Sequence, residues 1–335
     1  MRDIISNEYG LTVERWEKIG RYDTFIWKNY RYILVPALLR TEAEISELQQ
    51  MSAYLSAKGD VTVATFVPTR TGTLMTHISE QPVVILRTYV QSYTRQVVVG
   101  RELAKLHHRG RLFPVPVVHC KRIGQWKELW GKRLDQMEEF WRSKTQLGPE
   151  DAFDRLFIES FPYYIGLTEN AIQYVADTEL DEVPSTVDSA TICHERLPNA
   201  LWVEGKESKL AIDWVYDHCA RDLAEWVRHM YVKRSAIAEE EIRQFFREYE
   251  HTTPLSAFSW RLIYARLLFP LHYFECIEGY YVTEHEEEKK KYEQTLITIL
   301  DRSREYERFL GSFYDLLELS SRRWRLPKIG WLSYA

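Results

Sequence analysis

The apolar positions follow two regimes that change over near residue 91. Before it, short β-rich runs alternate with turn residues. Thr24–Lys28 and Arg31–Ala37 flank Asn29-Tyr30 as the arms of a hairpin. Val61–Val67, Thr73–His77 and Val83–Tyr89 supply three more strands, parted by Thr71-Gly72 and Glu80-Gln81-Pro82. One helix interrupts them. Across Thr41–Ala57, the residues Ile45, Leu48, Met51 and Leu55 recur at helical spacing behind a Thr41 N-cap. The expectation is a five-stranded antiparallel sheet with one helix.

After residue 91 the spacing is helical almost throughout. Val97–His108 places Val98, Leu103 and Leu106 inward. Trp126–Ser143 follows, then Asp151–Asn170, broken at Pro162 and continued by Ala171–Ala176. Asp177–Ser189 reads as an acidic connector. Later helices cover Glu239–Tyr249, Ser256–Glu275 with an interruption at Pro270, Glu284–Leu300 and Ser303–Ser320. The run from Glu286 to Lys291 is a solvated face with i,i+4 pairs. The tail, Arg322–Ala335, either docks elsewhere or packs back on the helical part. The pattern therefore predicts an α+β chain, with 1–91 a small β-rich lobe and 92–335 a large helical lobe. Tyr89–Ser92 would be the hinge.

One stretch, Thr191–Trp226, breaks the helical regime. His194-Glu195-Arg196 leads to a bend at Pro198-Asn199. Two strand-like runs, Ala200–Val203 and Lys209–Ile212, are joined by a turn around Gly205, and the second ends on Asp213. A loop, a hairpin and an acid at its end is a layout for phosphoryl transfer. The loop carries a base and a metal-binding asparagine, and the acid holds Mg²⁺ against the phosphates.

Composition narrows the partners. A formal charge of −5 over 335 residues implies neither nucleic acid nor an anionic membrane. The four cysteines form no CxxC, so reduced thiols are the simpler reading. Met1-Arg2-Asp3 opens no apolar signal segment, and Leu267–Phe274 is too short for a transmembrane segment. Synthesis in the cytoplasm is expected. His107-His108 are adjacent on a helix, point about 100° apart and do not chelate together, so packing and surface roles are expected.

Two sets of residues carry a resemblance. Gly100-Arg101-Glu102-Leu103-Ala104-Lys105-Leu106-His107 resembles the Gly-x-x-Leu-Ala-x-Leu-His helix of the aminoglycoside-phosphotransferase and choline-kinase branch of the protein-kinase-like fold. His194, Ile212-Asp213-Trp214 and Asp222-Leu223-Ala224 resemble its catalytic core. The resemblance implies a two-lobed fold. It also exposes departures. The base position is Arg196, which cannot accept a proton. Asn199 follows Arg196 by three residues, where the branch has five. Glu195 is a carboxylate next door, but strict spacing puts it on the wrong side of the backbone. Val35 stands where the strand before the helix should bear a phosphate-gripping lysine. Lys28 and Arg31 then read as solvated hairpin charges, and Glu44 and Glu47 as surface carboxylates. Residues 17–24 supply one glycine, Gly20, for a phosphate loop. Only seven residues part Asp213 from Arg221, which leaves no room for a peptide platform.

Within the branch, the degenerate loop, aromatic content and charged helical end resemble the spore-coat kinase-like proteins of endospore-forming bacteria. That resemblance implies a role in sporulation, deposition in the spore coat, and other coat proteins as partners. The expected function is a non-catalytic structural or assembly component. No catalytic residue is assigned to the degenerate loop His194, Glu195 and Arg196, and no cofactor is expected. The alternative is a small-molecule phosphotransferase, or a nucleotide-binding pseudokinase, with relocated groups. ATP and Mg²⁺ belong only to that alternative, with Asp213 and Asn199 the candidate metal ligands. Arg196 is expected to pair with a carboxylate, Asp213 or Glu195.

Overall fold

The computed structural model describes residues 1–90, 97–205, 208–234, 238–320 and 324–334. A short helix, α1 (Arg2–Ile4), runs into a π turn (Ile5–Tyr9). Then come β1 (Arg15–Ile19), β2 (Tyr22–Trp27), β3 (Tyr30–Pro36), α2 (Glu42–Ala57), β4 (Val63–Phe66), β5 (Met75–Ile78), β6 (Gln81–Tyr89) and α3 (Val99–Arg111). The chain continues through α4 (Trp126–Leu147), α5 (Ala152–Asp181), β7 (Thr191–His194), β8 (Lys209–Leu210), β9 (Trp214–Asp217), α6 (Ala220–Arg234) and α7 (Ala238–Glu250). It ends with α8 (Ala257–Leu268), α9 (Leu271–Val282), α10 (Glu286–Asp301) and α11 (Ser303–Leu316). Two compact units result: residues 1–123, 189–229 and 244–254, and residues 124–188, 230–243 and 255–335. Gln91 and Ser92 of the expected hinge, and Arg322 and Arg323 of the tail, lie outside the described residues.

The first unit is built on a sheet ordered β1-β2-β3-β6-β4-β8, with β5 also paired to β6. All five expected strands form. A sixth, β1, is an edge strand with no buried residue, so no apolar alternation marked it. It meets β2 through a two-residue turn at Gly20-Arg21, with Ile19 opposite Tyr22 and Gly20 at φ +56°. Strand β3 is buried on both faces. Tyr32 and Leu34 join Phe25, Ile85 and the N-terminal Ile5 in one cluster, which leaves Ile33 and Val35 to the other side. Helix α2 packs on β4 and buries Ile45, Leu48, Met51 and Leu55, the predicted face. Thr41 accepts from the Glu44 N–H at 3.2 Å while Glu44 accepts from the Thr41 N–H at 3.0 Å, a full capping box.

The expected hairpin at 200–212 does not form. Ala200, Leu201 and Trp202 are all buried, so the run does not alternate between faces. It coils instead into a 3₁₀ turn, Leu201–Glu204, ended by Gly205 at φ +78°. The second run gives only β8, which pairs parallel to β4 through Val63–Lys209 and Ala64–Leu210. A buried ion pair fixes that register: Lys209 Nζ lies 2.7 Å from Asp60 Oδ2 and 3.8 Å from Glu102 Oε2.

Helix α3 starts two residues late, which leaves Val98 exposed rather than inward, while Leu103 and Leu106 are fully buried. Two glycines of α3, Gly100 of the motif and Gly110 beyond it, are packing devices. A side chain at Gly100 would meet the Phe245 carbonyl, and one at Gly110 would meet Thr191 and Ile192.

The second unit is helical and held by stacked rings, among them Trp130–Phe269 and Tyr164–Tyr273. Pro162 does not break its long helix: α5 is continuous from Ala152 to Asp181. Proline removes the N–H that would bond the carbonyl four residues earlier. That carbonyl, on Ile158, accepts the Trp141 indole N–H at 3.0 Å instead. The tail packs back on the same unit, with Leu326 and Leu332 buried and the Pro327 carbonyl accepting from Tyr174.

Candidate functional site

The stretch at 191–226 places its polar groups in two different settings within the first unit. The first is a buried network. β7 and β9 pair antiparallel, His194 opposite Trp214, and bring His194 over the start of α6. Asp222, fully buried, accepts the His194 backbone N–H at 2.9 Å and the His194 Nδ1–H at 2.7 Å. His107 Nε2 on α3 also reaches Asp222, at 3.2 Å, and its Nδ1 meets Tyr249 Oη at 2.9 Å. On the far side of His194, the Trp202 indole N–H lies 3.0 Å from Nε2. Indole only donates, so Nε2 must accept and Nδ1 carries the proton. Burial works against the Asp222 carboxylate, but His194 and His107 hold it well below its usual range. Burial pushes His107 down, so it is neutral. The two resembling motifs are thus one hydrogen-bonded unit, and His107 has the packing role expected of it while His108 is exposed.

The His107, Cys193 and Asp222 ligand atoms lie within 4.8 Å of one another. The geometry is spent on the network rather than on an ion. Asp222 already accepts from both imidazoles, and burial drives the Cys193 thiol up, away from the thiolate a metal requires. All four cysteines are free and buried.

The second setting is a cavity of about 620 Å³ between the end of β3, the start of α2 and the turn that carries Asp213. Its walls include Val35 and Ile212, the acids Glu44, Glu195 and Asp213, and the cations Arg21, Arg40 and Arg122. Arg40 is the centre. Its guanidinium donates to the Ile212 and Trp214 carbonyls, on either side of Asp213, at 3.1–3.2 Å. It also lies 3.4 Å from Glu44 Oε1 and 3.7 Å from Glu195 Oε2. Arg122 reaches Glu44 at 3.5 Å. From the β1–β2 turn, Arg21 donates to Tyr22 Oη at 2.7 Å and stands 3.8 Å from Asp213 Oδ1. Burial raises the Asp213 carboxyl, opposed by Arg21, His194 and Arg40.

Several expectations change here. Glu195 is not turned away: its backbone N–H bonds the Asp213 carbonyl and its side chain lines the cavity, paired there with Arg40 and also with Arg221, which is not part of the lining. Glu44 and Glu47 are not solvated carboxylates. Glu44 is held by two arginines, and Glu47 caps the backbone N–H groups of Val118, His119 and Cys120 at 2.7–3.1 Å. Arg31, read as a solvated charge, pairs with Glu17 at 3.1 Å. Arg196 lies 3.5 Å from Glu225, an acid one turn beyond Asp222, and donates to the Glu195 carbonyl. Asn199 closes a 3₁₀ turn at Leu197–Asn199 and is exposed. The described lining of the cavity includes Asp213 and Glu195 but neither Asn199 nor Arg196. Sequence reasoning missed Arg21, Arg40, Trp202 and Glu225. For Arg40 a signal existed: it stands four residues before Glu44 at a helix start.

A small β lobe, an acid-bearing turn and a larger helical lobe make up an aminoglycoside-phosphotransferase-like, protein-kinase-like fold. The chain matches, with a TM-score of 0.64 and 14% identity, an aminoglycoside phosphotransferase from Alicyclobacillus acidocaldarius subsp. acidocaldarius DSM 446, over 95% of this chain and 96% of that one. A microcompartment-associated aminopropanol kinase gives 0.59 at 15% identity, over 93% and 97%. At such identities the likeness shows the fold alone. Sequence carries the family. Residues 2–313 match the family described as "Spore coat putative kinase YutH", and the chain belongs to it. It is 40% identical over 333 residues to the endospore coat-associated protein YutH of Bacillus subtilis (strain 168), covering 99% of this chain and 98% of that one. Among the described residues no helix is long and apolar enough to cross a membrane.

Proposed function

We propose that this chain is a non-catalytic structural or assembly component of the endospore coat, a kinase fold retained as a scaffold. It is made in the cytoplasm and deposited in the coat, where other coat proteins are its partners. The family and its relative in Bacillus subtilis support the location. One observation carries the non-catalytic part. Every acid that lines the cavity is met by a guanidinium of the chain itself: Asp213 by Arg21, Glu195 by Arg40, and Glu44 by Arg40 and Arg122. Phosphoryl transfer works by positioning charges for the phosphates, the metal and the attacking hydroxyl. Here Val35 fills the lysine's strand position with an apolar side chain, and the cations present neutralise the acids.

The test is a phosphorylation assay with ATP and Mg²⁺ against small alcohols and amino sugars. No turnover above background is expected. The double variant Val35→Lys/Arg196→Asp is expected to stay inactive, because Asn199 remains outside the cavity. Robust wild-type turnover, abolished by Asp213→Ala, would overturn the reading.

A further inference from the structure

Two tyrosines face each other at one end of the sheet, and neither belongs to the cavity lining or to the buried network. Tyr30 opens β3 and Tyr89 closes β6, and the antiparallel register makes them direct partners. Directly opposed residues carry their side chains on one face, with Cβ atoms about 4.5–5.5 Å apart. The two rings accordingly lie 4.8 Å apart between centroids, tilted by 38°. Their Oη atoms are 3.4 Å apart, too long for a strong O–H···O bond. Just past the pair, the Val90 N–H donates to the Asn29 carbonyl at 3.1 Å, which holds the strand ends together. The Arg87 guanidinium stands over the Tyr30 ring, 4.9 Å from its centroid. Backbone register and a cation thus keep two phenols side by side, with their oxygens close but not locked to each other.

Tyrosines meet elsewhere in this chain under different conditions. Tyr174 and Tyr314 bring their hydroxyls within 2.9 Å, and Tyr164 stacks on Tyr273, yet all four are buried. Tyr280 and Tyr281 meet edge to face, and their hydroxyls donate to different acids, Asp151 and Asp154. Tyr89, by contrast, is 56% exposed and Tyr30 is half-buried. A solution oxidant reaches this pair, and each phenol has the other as a neighbour.

We propose that Tyr30 and Tyr89 form an oxidative cross-linking site, at which a peroxidase-type one-electron oxidant joins the two phenols into a biphenol that staples β3 to β6. Each phenol gives up one electron and its Oη proton and becomes a phenoxyl radical, whose spin spreads onto the ring carbons beside the oxygen. One such carbon of Tyr30 bonds to one of Tyr89. The hydrogen on each of those carbons leaves as a proton, and each oxygen takes a proton back, so both rings are phenols again. The chain loses two hydrogen atoms in all, and one hydrogen peroxide is reduced to two waters. The new bond closes the β2–β3 hairpin onto the last residue of β6 and leaves the cavity untouched.

The experiment treats the full chain, dilute, with a haem peroxidase and limiting hydrogen peroxide. A monomer lighter by two hydrogen atoms is expected, with the fluorescence of a biphenol. Tryptic digestion should join the peptide of residues 29–31 to that of residues 88–95, and fragmentation should place the bond on Tyr89. Methionine oxidation adds oxygen and is read separately in the same spectrum. Tyr30→Phe and Tyr89→Phe each remove a hydroxyl and keep the ring, and both should yield none of this product. Treatment should raise the melting temperature of the wild type, because a bridge between residues 30 and 89 restricts the unfolded chain, and should not raise that of Tyr89→Phe. An unchanged monomer mass, products that are all covalent dimers, a bond placed on other tyrosines, an undiminished yield from either variant, or no rise in melting temperature overturns the proposal.

Discussion

His194 and Asp213 belong to the same stretch and sit on paired segments, yet they live under different rules. His194 sits in a network where each polar atom has a fixed partner: Asp222, His107 and Trp202 are buried around it. Asp213 sits in an open cavity where partners are long, charged and exchangeable. A buried donor left unmade costs its full desolvation, whereas an exposed ion pair changes little when altered. The network therefore resists substitution, and the cavity tolerates it.

Asp222→Asn attacks the network most directly. An amide has one acceptor oxygen where the carboxylate has two, so its NH2 must face either the His194 backbone N–H or the two imidazoles, and we expect a loss of about 3–5 kcal/mol in urea unfolding. A loss below about 1 kcal/mol would break the comparison. Arg40→Ala comes next, at about 2 kcal/mol, because it leaves two buried carbonyls without donors. Trp202→Phe should cost about 1 kcal/mol by removing the donor to His194 Nε2. Asp213→Asn is the smallest, within about 0.5 kcal/mol of wild type, since it gives up one long contact.

Acid sharpens the contrast through opposite signs. The folded Asp222 carboxyl titrates below its unfolded value, so its contribution is present above roughly pH 4 and fades as pH falls below that. The folded Asp213 carboxyl titrates above its unfolded value, so it favours folding at low pH and loses that contribution as pH rises. Urea midpoints measured from pH 7 to pH 3 should therefore fall less steeply for Asp222→Asn than for wild type. For Asp213→Asn they should fall more steeply.

The frame was legible in the sequence because it follows periodicity. The α2 face, the Thr41 cap and the Gly100–His107 motif all behave as their spacing implies. β1 was missed because an edge strand that buries nothing shows no alternation. The 200–212 hairpin failed because a tertiary ion pair, Lys209 with Asp60, decided which strand β8 would join. Pro162 misled for a similar reason, since the Trp141 indole that rescues α5 lies on another helix. At the cavity, chain spacing identified Asp213 but could not aim Glu195, Arg21 or Arg40. Their directions depend on a turn, a cap and two carbonyls set by distant residues.

The parallel pairing of β8 with β4 also sets a timetable. Lys209 and its partner Asp60 are 149 residues apart in sequence. At ribosomal speeds of about 5–20 residues per second, roughly 7–30 s separate the synthesis of one from that of the other. Through that interval β4 is the open edge of a nascent sheet, the kind of edge that recruits strange strands. Asp60 is not alone while it waits. Arg109, 3.2 Å away in the finished structure, is made well before Lys209 and can hold the carboxylate until the late strand arrives to close the edge.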